Sequence, residues 1–227
     1  MNNIITKEFN YEDIEYKFHG RQDEHIFKQV PWYEIKLLEH IRDLNLNGAY
    51  IDIGGNIGNH SLYFLNHCNS TKLFVFEPEE ICYKILEKNL KINNKNKKYK
   101  LYNTAAWDRK TNLKLIRYDT FDNMGISKVI EIDHTNIDNT NIVSANSLDN
   151  IIPHNENVVL IKIDAESSEP KVLRGAIEII KKNTPIIICE AATEFEFDQI
   201  NNILLPLGYI SISQRFNATP TYIWSIH

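Results

Sequence analysis

The amino-acid sequence predicts an α/β protein built on a doubly wound, mostly parallel sheet, and three observations carry that expectation. From residue 49 onward, short apolar runs alternate with stretches of helical periodicity. A glycine-rich turn, Gly54-Gly55-Asn56-Ile57-Gly58, joins the first of those runs to the first helical stretch. The segment Val158 to Ile163 is almost wholly apolar, as a central strand covered on both faces requires.

Residues 1–48 form an N-terminal extension, and residues 49–227 the main domain. The extension has strand-like runs at Ile4 to Phe9 and Ile14 to Phe18, then a helix over 32–44 that buries Ile35, Leu38, Ile41 and Leu44. It is expected to cap a ligand cleft. The main domain runs through strand 49–53, helix 59–67, strand 72–76, helix 79–93, strands 99–103 and 158–163, helix 169–182, strand 185–190, helix 195–205, and strands 208–213 and 221–226. The last two strands have no helix between them. A short turn at Asn217 to Pro220 makes them a hairpin, which adds one antiparallel strand. Between 104 and 157 the pattern loosens, with hairpin-like apolar pieces at Lys128 to Ile132 and Ile142 to Ala145. A long insertion of this kind is often a functional loop.

Composition agrees with an enzyme of one domain. The 227 residues are 43% hydrophobic, enough for a sizeable core. No apolar run approaches the roughly 18 residues that span a bilayer, and Met1 to Tyr16 lacks a signal-peptide core. Cys68, Cys82 and Cys189 are scattered and odd in number, which fits reduced cysteines in a cytoplasmic protein better than disulfides or zinc. A net charge of -5 counts against nucleic acid as the partner, and the basic run Lys91 to Lys100 reads as a solvated turn. Asp133, His134 and Asp138 have no metal-ligand spacing, so no metal is expected.

The glycine turn narrows the ligand. A dinucleotide fingerprint needs G-x-G-x-x-G, but Asn56 stands two positions beyond Gly54. The pattern is D-x-G-x-x-x-G, from Asp52, Gly54 and Gly58. Asp52 would repel a pyrophosphate and attract a cationic amino-acid end, which points to S-adenosyl-L-methionine. Asp52, Gly54, Asn56, Gly58, Asn59 and His60 are therefore the expected cofactor contacts at this turn. Glu77 ends the next strand 19 positions after Gly58, near the offset at which an acid accepts hydrogen bonds from both ribose hydroxyls, and Pro78 follows it. Ala105 and Ala106 leave room for an adenine ring, with Asn103 or nearby backbone reading its edge. Trp107 could stack on that ring or belong to the core.

Asp52 to Phe64 (DIGGNIGNHSLYF), Phe76-Glu77-Pro78, Ile161 to Pro170 (IKIDAESSEP) and Val172 to Ala176 together resemble the FkbM family of S-adenosylmethionine-dependent methyltransferases, over roughly residues 49 to 192. The resemblance implies the Rossmann-like class I methyltransferase fold, whose closing antiparallel hairpin NAD-binding domains usually lack. It implies that Asn123 and Gly125, which match an Asn-x-Gly element of the family, line the substrate site. The family usually has glycine where this chain has Ser167. If that position needs positive φ, serine strains it.

The remaining chemistry lies at Asp164, Glu166 and Glu169, three carboxylates on one loop facing a cationic cofactor, where they raise one another's pKa. Asp164 or Glu166 is the expected general base, and Asp164 also the neighbour of the cofactor. His60 is the alternative base, or a residue that only packs in its helix. Glu169 and Glu190 are expected to meet the substrate, although Glu169 could instead favour a helix N-terminus. The residues reach a methyltransferase with a hydroxyl-like acceptor; the resemblance implies a sugar, glycan or other polyhydroxylated small molecule. An NAD-linked oxidoreductase and a catalytically degenerate binding module remain the alternatives.

Overall fold

The computed structural model describes residues 4–22, 25–94, 98–117, 127–132 and 140–226. Its N-terminal extension begins with β1 (Ile4–Tyr11) and β2 (Ile14–Arg21), an antiparallel ribbon. The short α1 (His25–Lys28) and α2 (Ile35–Asp43) follow. Helix α2 starts later than expected because Glu34 is left-handed (φ 56), a backbone state that a right-handed helix cannot incorporate. Trp32 turns into the core instead. Leu38 and Ile41 are buried as expected and Leu37 joins them, whereas Ile35 is only partly covered.

From here strands and helices alternate: β3 (Gly48–Ile53), α3 (Asn59–His67), β4 (Ser70–Phe76), α4 (Glu80–Asn93) and β5 (Lys98–Tyr102). The loosened region then forms a small second sheet from β6 (Ala105–Ala106), β7 (Thr111–Ile116), β8 (Lys128–Glu131) and β9 (Ile142–Asn146), in the order β6-β9-β7-β8. The two expected apolar pieces are β8 and β9, but they do not pair with each other. Strand β7, which sequence reading missed, lies between them and is antiparallel to both. Its burial is confined to Leu113 and Leu115 among polar neighbours, too short an apolar signal to stand out.

The chain closes through α5 (Leu148–Ile151), β10 (Val158–Ile163), α6 (Glu169–Arg174), α7 (Ile177–Asn183), β11 (Ile186–Glu190), α8 (Glu194–Leu204), β12 (Ile210–Phe216) and β13 (Thr221–Ser225). The expected helix over 169–182 is two helices. Gly175 separates them because the Trp107 carbonyl lies where a Cβ would be, at 1.9 Å, and the Gly175 carbonyl accepts from the Asp149 N–H at 3.0 Å.

The main sheet has the order β12-β13-β11-β10-β3-β4-β5, and only β13 runs against the rest. The chain winds outward from β3 through β4 and β5 on one side and from β10 on the other. The carboxyl ends of β3 and β10 thus form a topological switch point, where open α/β sheets bind ligands.

Side chains alternate across the pleat. Tyr50, Leu73 and Leu160 enter one core, with Leu62, Phe64 and Leu86 from the helices and Tyr16, Phe18, Phe27 and Trp32 from the extension. Ile51, Phe74 and Ile161 enter the opposite core, with Leu173 and Ile180. The free edge of β2 is satisfied by side chains of α4. Asn89 accepts from His19 N–H and donates to His19 C=O at 2.7 and 2.9 Å, and Asn93 does the same for Lys17 at 2.8 and 3.0 Å. Each amide thus imitates a strand residue. Asn89 also donates to the Ile57 carbonyl at 2.7 Å, so one buried side chain holds both ribbon and glycine turn. Cys68, Cys82 and Cys189 are buried and form no disulfide with one another. Among the described residues, no helix is long and apolar enough to cross a membrane.

Candidate active site

At the switch point lies a cavity of about 400 Å³, within the range of small-molecule sites. Its walls come from the glycine turn, the ends of β4, β10 and β11, the strand β6, and His25, Ile26, Tyr33 and Glu34 of the extension.

The glycine turn is shaped by what it touches. Gly54 is left-handed (φ 77), and a Cβ there would stand 1.9 Å from the Asp164 carbonyl oxygen. Only glycine lets the turn after β3 abut the loop after β10. The N–H groups of Gly54 and Gly55 both donate to the Phe76 carbonyl, at 3.0 and 3.1 Å. One residue further, Glu77 accepts from Asn56 N–H at 2.8 Å and, through its other oxygen, from Glu79 N–H at 2.8 Å. Asn103 clamps this turn from outside by donating to the carbonyls of Glu77 and Pro78. Glu77 therefore has a fixed carboxylate plane with lone pairs left for hydroxyl donors. Burial pushes its pKa up to about 7 despite those two N–H donors. Asn56 Oδ1 is buried with no hydrogen-bond partner, a second acceptor at the same wall.

A charged chain lies beneath the floor. Asp52 is fully buried; its Oδ2 accepts from Ser61 Oγ at 2.5 Å, and its Oδ1 lies 3.5 Å from Lys162 Nζ. Lys162, 4% exposed, also approaches Asp164 Oδ2 at 3.3 Å. Burial pulls the Lys162 pKa down, but Asp164, Asp52 and Glu34 outweigh it and hold the ammonium above its usual range. Lys162 is the one lysine or arginine among the described residues lining the cavity.

The wall formed by the ends of β10 and β11 is anionic. One oxygen from each of Asp164, Glu166 and Glu190 lies within 4.8 Å of the others, a spacing at which a divalent cation could bridge them, although Asp164 already has Lys162 as its partner. Burial, followed by repulsion from Asp164 and Glu169, pushes Glu166 up to about 7. Burial, followed by repulsion from Asp164, Glu166 and Glu169, holds Glu190 far above the usual carboxylate range. Glu169 is buried and braces the loop by accepting from Ala165 N–H at 2.9 Å; burial pushes it up to about 7. The loop itself is strained, with Glu166 and Ser167 at φ 50 and 71. Ser167 thus occupies a left-handed position, and its hydroxyl donates to Glu196 at 3.0 Å.

The extension supplies the last wall. Asn59 accepts from Tyr33 N–H at 3.0 Å and donates to Pro31 C=O at 3.1 Å. His60 Nε2 lies 3.3 Å from the Tyr33 carbonyl and 3.6 Å from Glu34 Oε2. A carbonyl only accepts, so Nε2 carries the proton in that bond. Burial lowers the His60 pKa to about 4. Its Nε2 thus brackets the extension to α3, and the ring lines the cavity as a neutral imidazole near pH 7.

A model of the "Methyltransferase FkbM domain" family matches residues 52–211, well over half of the chain. The chain belongs to the FkbM methyltransferase family. Its fold is similar to that of "Methyltransferase FkbM from Methylobacillus flagellatus KT", with TM-score 0.58 and 16% identity over 79% of this chain and 43% of that one. It is also similar to a "ribosomal protein L11 methylase" from Lactobacillus delbrueckii subsp. bulgaricus, with TM-score 0.52 and 10% identity over 86% and 79% of the two chains. In sequence, 54 residues are 39% identical to "Methyltransferase sdnD" of Sordaria araneosa, 24% of this chain and 21% of that protein. The chain thus aligns with under half of its structural relative and about a fifth of its curated one. The structural matches give the FkbM chain a class I methyltransferase fold, and the family match counts against the NAD-linked alternative.

Of the residues expected at the site of this FkbM protein, Gly54, Asn56, Asn59, His60, Glu77, Pro78, Ala105, Ala106, Asp164, Glu166, Glu169 and Glu190 all line the cavity. Asp52 and Gly58 do not. Asp52 points under the floor to Ser61 and Lys162. Gly58 is left-handed (φ 92) and backs onto Leu86 of α4, serving the turn and not a ligand. Trp107 is a core residue beside Leu113 and Ala145, with Lys171 over its ring, and does not line the cavity. Asn123, Gly125, Asp133, His134 and Asp138 lie outside the described residues. Sequence reading missed Lys162, whose signal was a lone charge in an apolar strand, and Tyr33 and Glu34, which had none. Glu79, another lining residue, caps α4 by accepting from Cys82 N–H and pairs with Arg117 at 2.6 Å.

Proposed function

We propose that this protein transfers a methyl group from S-adenosyl-L-methionine to a hydroxyl of a sugar, glycan or other polyhydroxylated small molecule. The observation that carries the reading is Glu77, a buried carboxylate at the rim of β4 with each oxygen already oriented by one backbone N–H. A vicinal diol suits the lone pairs that remain, and a phosphate would be repelled. The donor set fits the cofactor: Glu77 and Asn56 take the ribose, Ala105 and Ala106 flank the adenine, and the glycine turn with Asp164 receives the amino-acid end. When bound, the cofactor supplies a methyl group made electrophilic by a sulfonium.

The chain's own residues supply position and proton acceptance. Glu166, pushed up to about 7, is matched to neutral pH as a general base for an acceptor hydroxyl. Asp164, held by Lys162, orients that hydroxyl, and Glu190 and Glu169 shape the acceptor wall. Holding the two reacting groups in near-attack geometry contributes much of the rate in such a displacement. The location we propose is the cytoplasm, where this cofactor is made.

The test supplies methyl-labelled S-adenosylmethionine with a panel of neutral glycosides and follows S-adenosylhomocysteine together with label in the sugar. Label on a carbohydrate oxygen is the expected result. Turnover with label on nitrogen or carbon would replace the acceptor class, and absence of cofactor binding would end the reading.

A further inference from the structure

Glu34 lies outside the family-matched segment, in the extension, and its geometry deepens the reading above, on which this inference rests. It stands at the N-cap of α2, where Ser, Thr, Asp and Asn are favoured for their capping bonds, yet its side chain makes no such bond. Its backbone is left-handed (φ 56, ψ 39), a state unfavourable for any residue but glycine. Neither helix stability nor local conformation therefore accounts for glutamate here.

The side chain instead turns inward, with 14% exposure, and lines the cavity. It faces His60 from α3 at 3.6 Å, Tyr33 and Asn217 within hydrogen-bonding reach, and the charges of Lys162 and Asp164 from β10 and its loop. The flanking backbone is fixed by the paired Asn59 hydrogen bonds to residues 31 and 33. A strained residue whose preceding backbone is held in place, with its functional group in a ligand cavity, is organised for a ligand.

We propose that Glu34 is an acceptor-specificity residue: its carboxyl, beside Asp164, binds a hydroxyl of a neutral polyhydroxylated acceptor next to the hydroxyl that is methylated. Burial pushes Glu34 up to about 7, so near neutral pH it both accepts from and donates to hydroxyl groups. Phosphorylated acceptors are disfavoured at the same wall. Lys162 is already paired with Asp52 and Asp164, and the other charged neighbours Glu34, Glu166 and Glu190 are acids.

The experiment loads wild type, Glu34→Gln and Glu34→Gly with S-adenosylhomocysteine and measures binding of neutral methyl glycosides and of the matching sugar phosphates by saturation-transfer NMR. Melting temperatures and calorimetric S-adenosylhomocysteine affinity are recorded in parallel. We expect neutral glycosides to bind wild type in preference to the phosphates, Glu34→Gly to lose about tenfold in glycoside affinity, the scale of one buried hydrogen bond, and Glu34→Gln, whose amide still accepts and donates, to lose less. S-adenosylhomocysteine affinity stays within about twofold, and Glu34→Gly, which relieves the left-handed backbone, melts no lower than wild type. Unchanged glycoside affinity in the variants overturns the role of Glu34 and leaves the methyltransferase reading standing. Joint loss of glycoside and S-adenosylhomocysteine affinity moves Glu34 to the cofactor and overturns it as well. Wild type that binds S-adenosylhomocysteine but no neutral glycoside overturns the acceptor class. Wild type that binds neither overturns the underlying function.

Discussion

Asp52 and Glu77 stand one strand apart in the same parallel sheet, both acids, both buried, yet they face different worlds. Ile53 of β3 is in register with Phe76 of β4, so Asp52 lies inside the ladder and Glu77 one residue beyond its end. Inside the ladder, the Asp52 side chain meets α3 and must find internal partners, Ser61 and Lys162. Beyond it, Glu77 meets two turn N–H groups and the cavity. The acid beyond the last rung reaches the cavity, and the one inside the ladder is enclosed beneath it.

The most severe way to break this comparison is Lys162→Met. Removing one partner of a buried ion pair costs about 3–5 kcal/mol, so denaturant unfolding should show a loss of that order, partly restored by adding Asp52→Asn. A neutral outcome would mean that Asp52 needs no internal cation. Glu77→Ala should instead spare most of the stability and weaken S-adenosylmethionine binding by about a hundredfold, since charge-assisted hydrogen bonds contribute ~1.5–3 kcal/mol each. Calorimetry decides it, and equal affinities in variant and wild type would make Glu77, like Asp52, a structural residue.

The pH response sharpens the contrast. Glu77, Glu34, Glu166 and Glu169 are each pushed up to about 7 from 4.5, with burial the first cause. Each binds its proton more tightly in the folded chain than in the unfolded one. The ligand-free protein should therefore lose stability as pH rises from about 4.5 to about 7 and change little from these groups above that. In turnover the dependence is opposite: if ionised Glu166 is the base, kcat/KM rises with pH by up to about tenfold per unit and flattens near 7. A flat acid limb would remove Glu166 from that role.

The smallest effect concerns Ser167. Its φ of 71 suits glycine, so Ser167→Gly should raise stability by about 0.4–1 kcal/mol even though the hydroxyl contact to Glu196 is lost. A fall in the melting temperature would show that this contact outweighs the backbone strain.

What the sequence disclosed follows the same division between local and distant causes. The glycine turn, Glu77, the small pair Ala105 and Ala106, and the acids after β10 are each placed by a strand end, and strand ends are written locally in apolar runs. Ser167 could be flagged for the same reason, because a single position in a known loop pattern carries its own conformational demand. Asp52 was assigned the right strand and the wrong direction, since the pattern does not reveal how deep in the ladder the cavity begins. Lys162 was visible as a lone cation in Val158 to Ile163 but had no meaning until Asp52 and Asp164 came to either side of it. Glu34 owes its position to Asn59, 25 residues away (59 minus 34), and to a left-handed turn that periodicity does not register. Strand β7 stayed hidden because two buried leucines do not make a strand signal until partners arrive from both sides.

The amides of Asn89 and Asn93 have one more effect. An exposed ribbon edge is a template on which another chain can add a strand, the usual start of edge-to-edge aggregation. By occupying the outer N–H and C=O groups of Lys17 and His19, α4 closes that template on β2 without spending a further strand on it. Ser or Ala at these two positions would leave the ribbon adhesive, and loss of solubility would be expected before loss of fold.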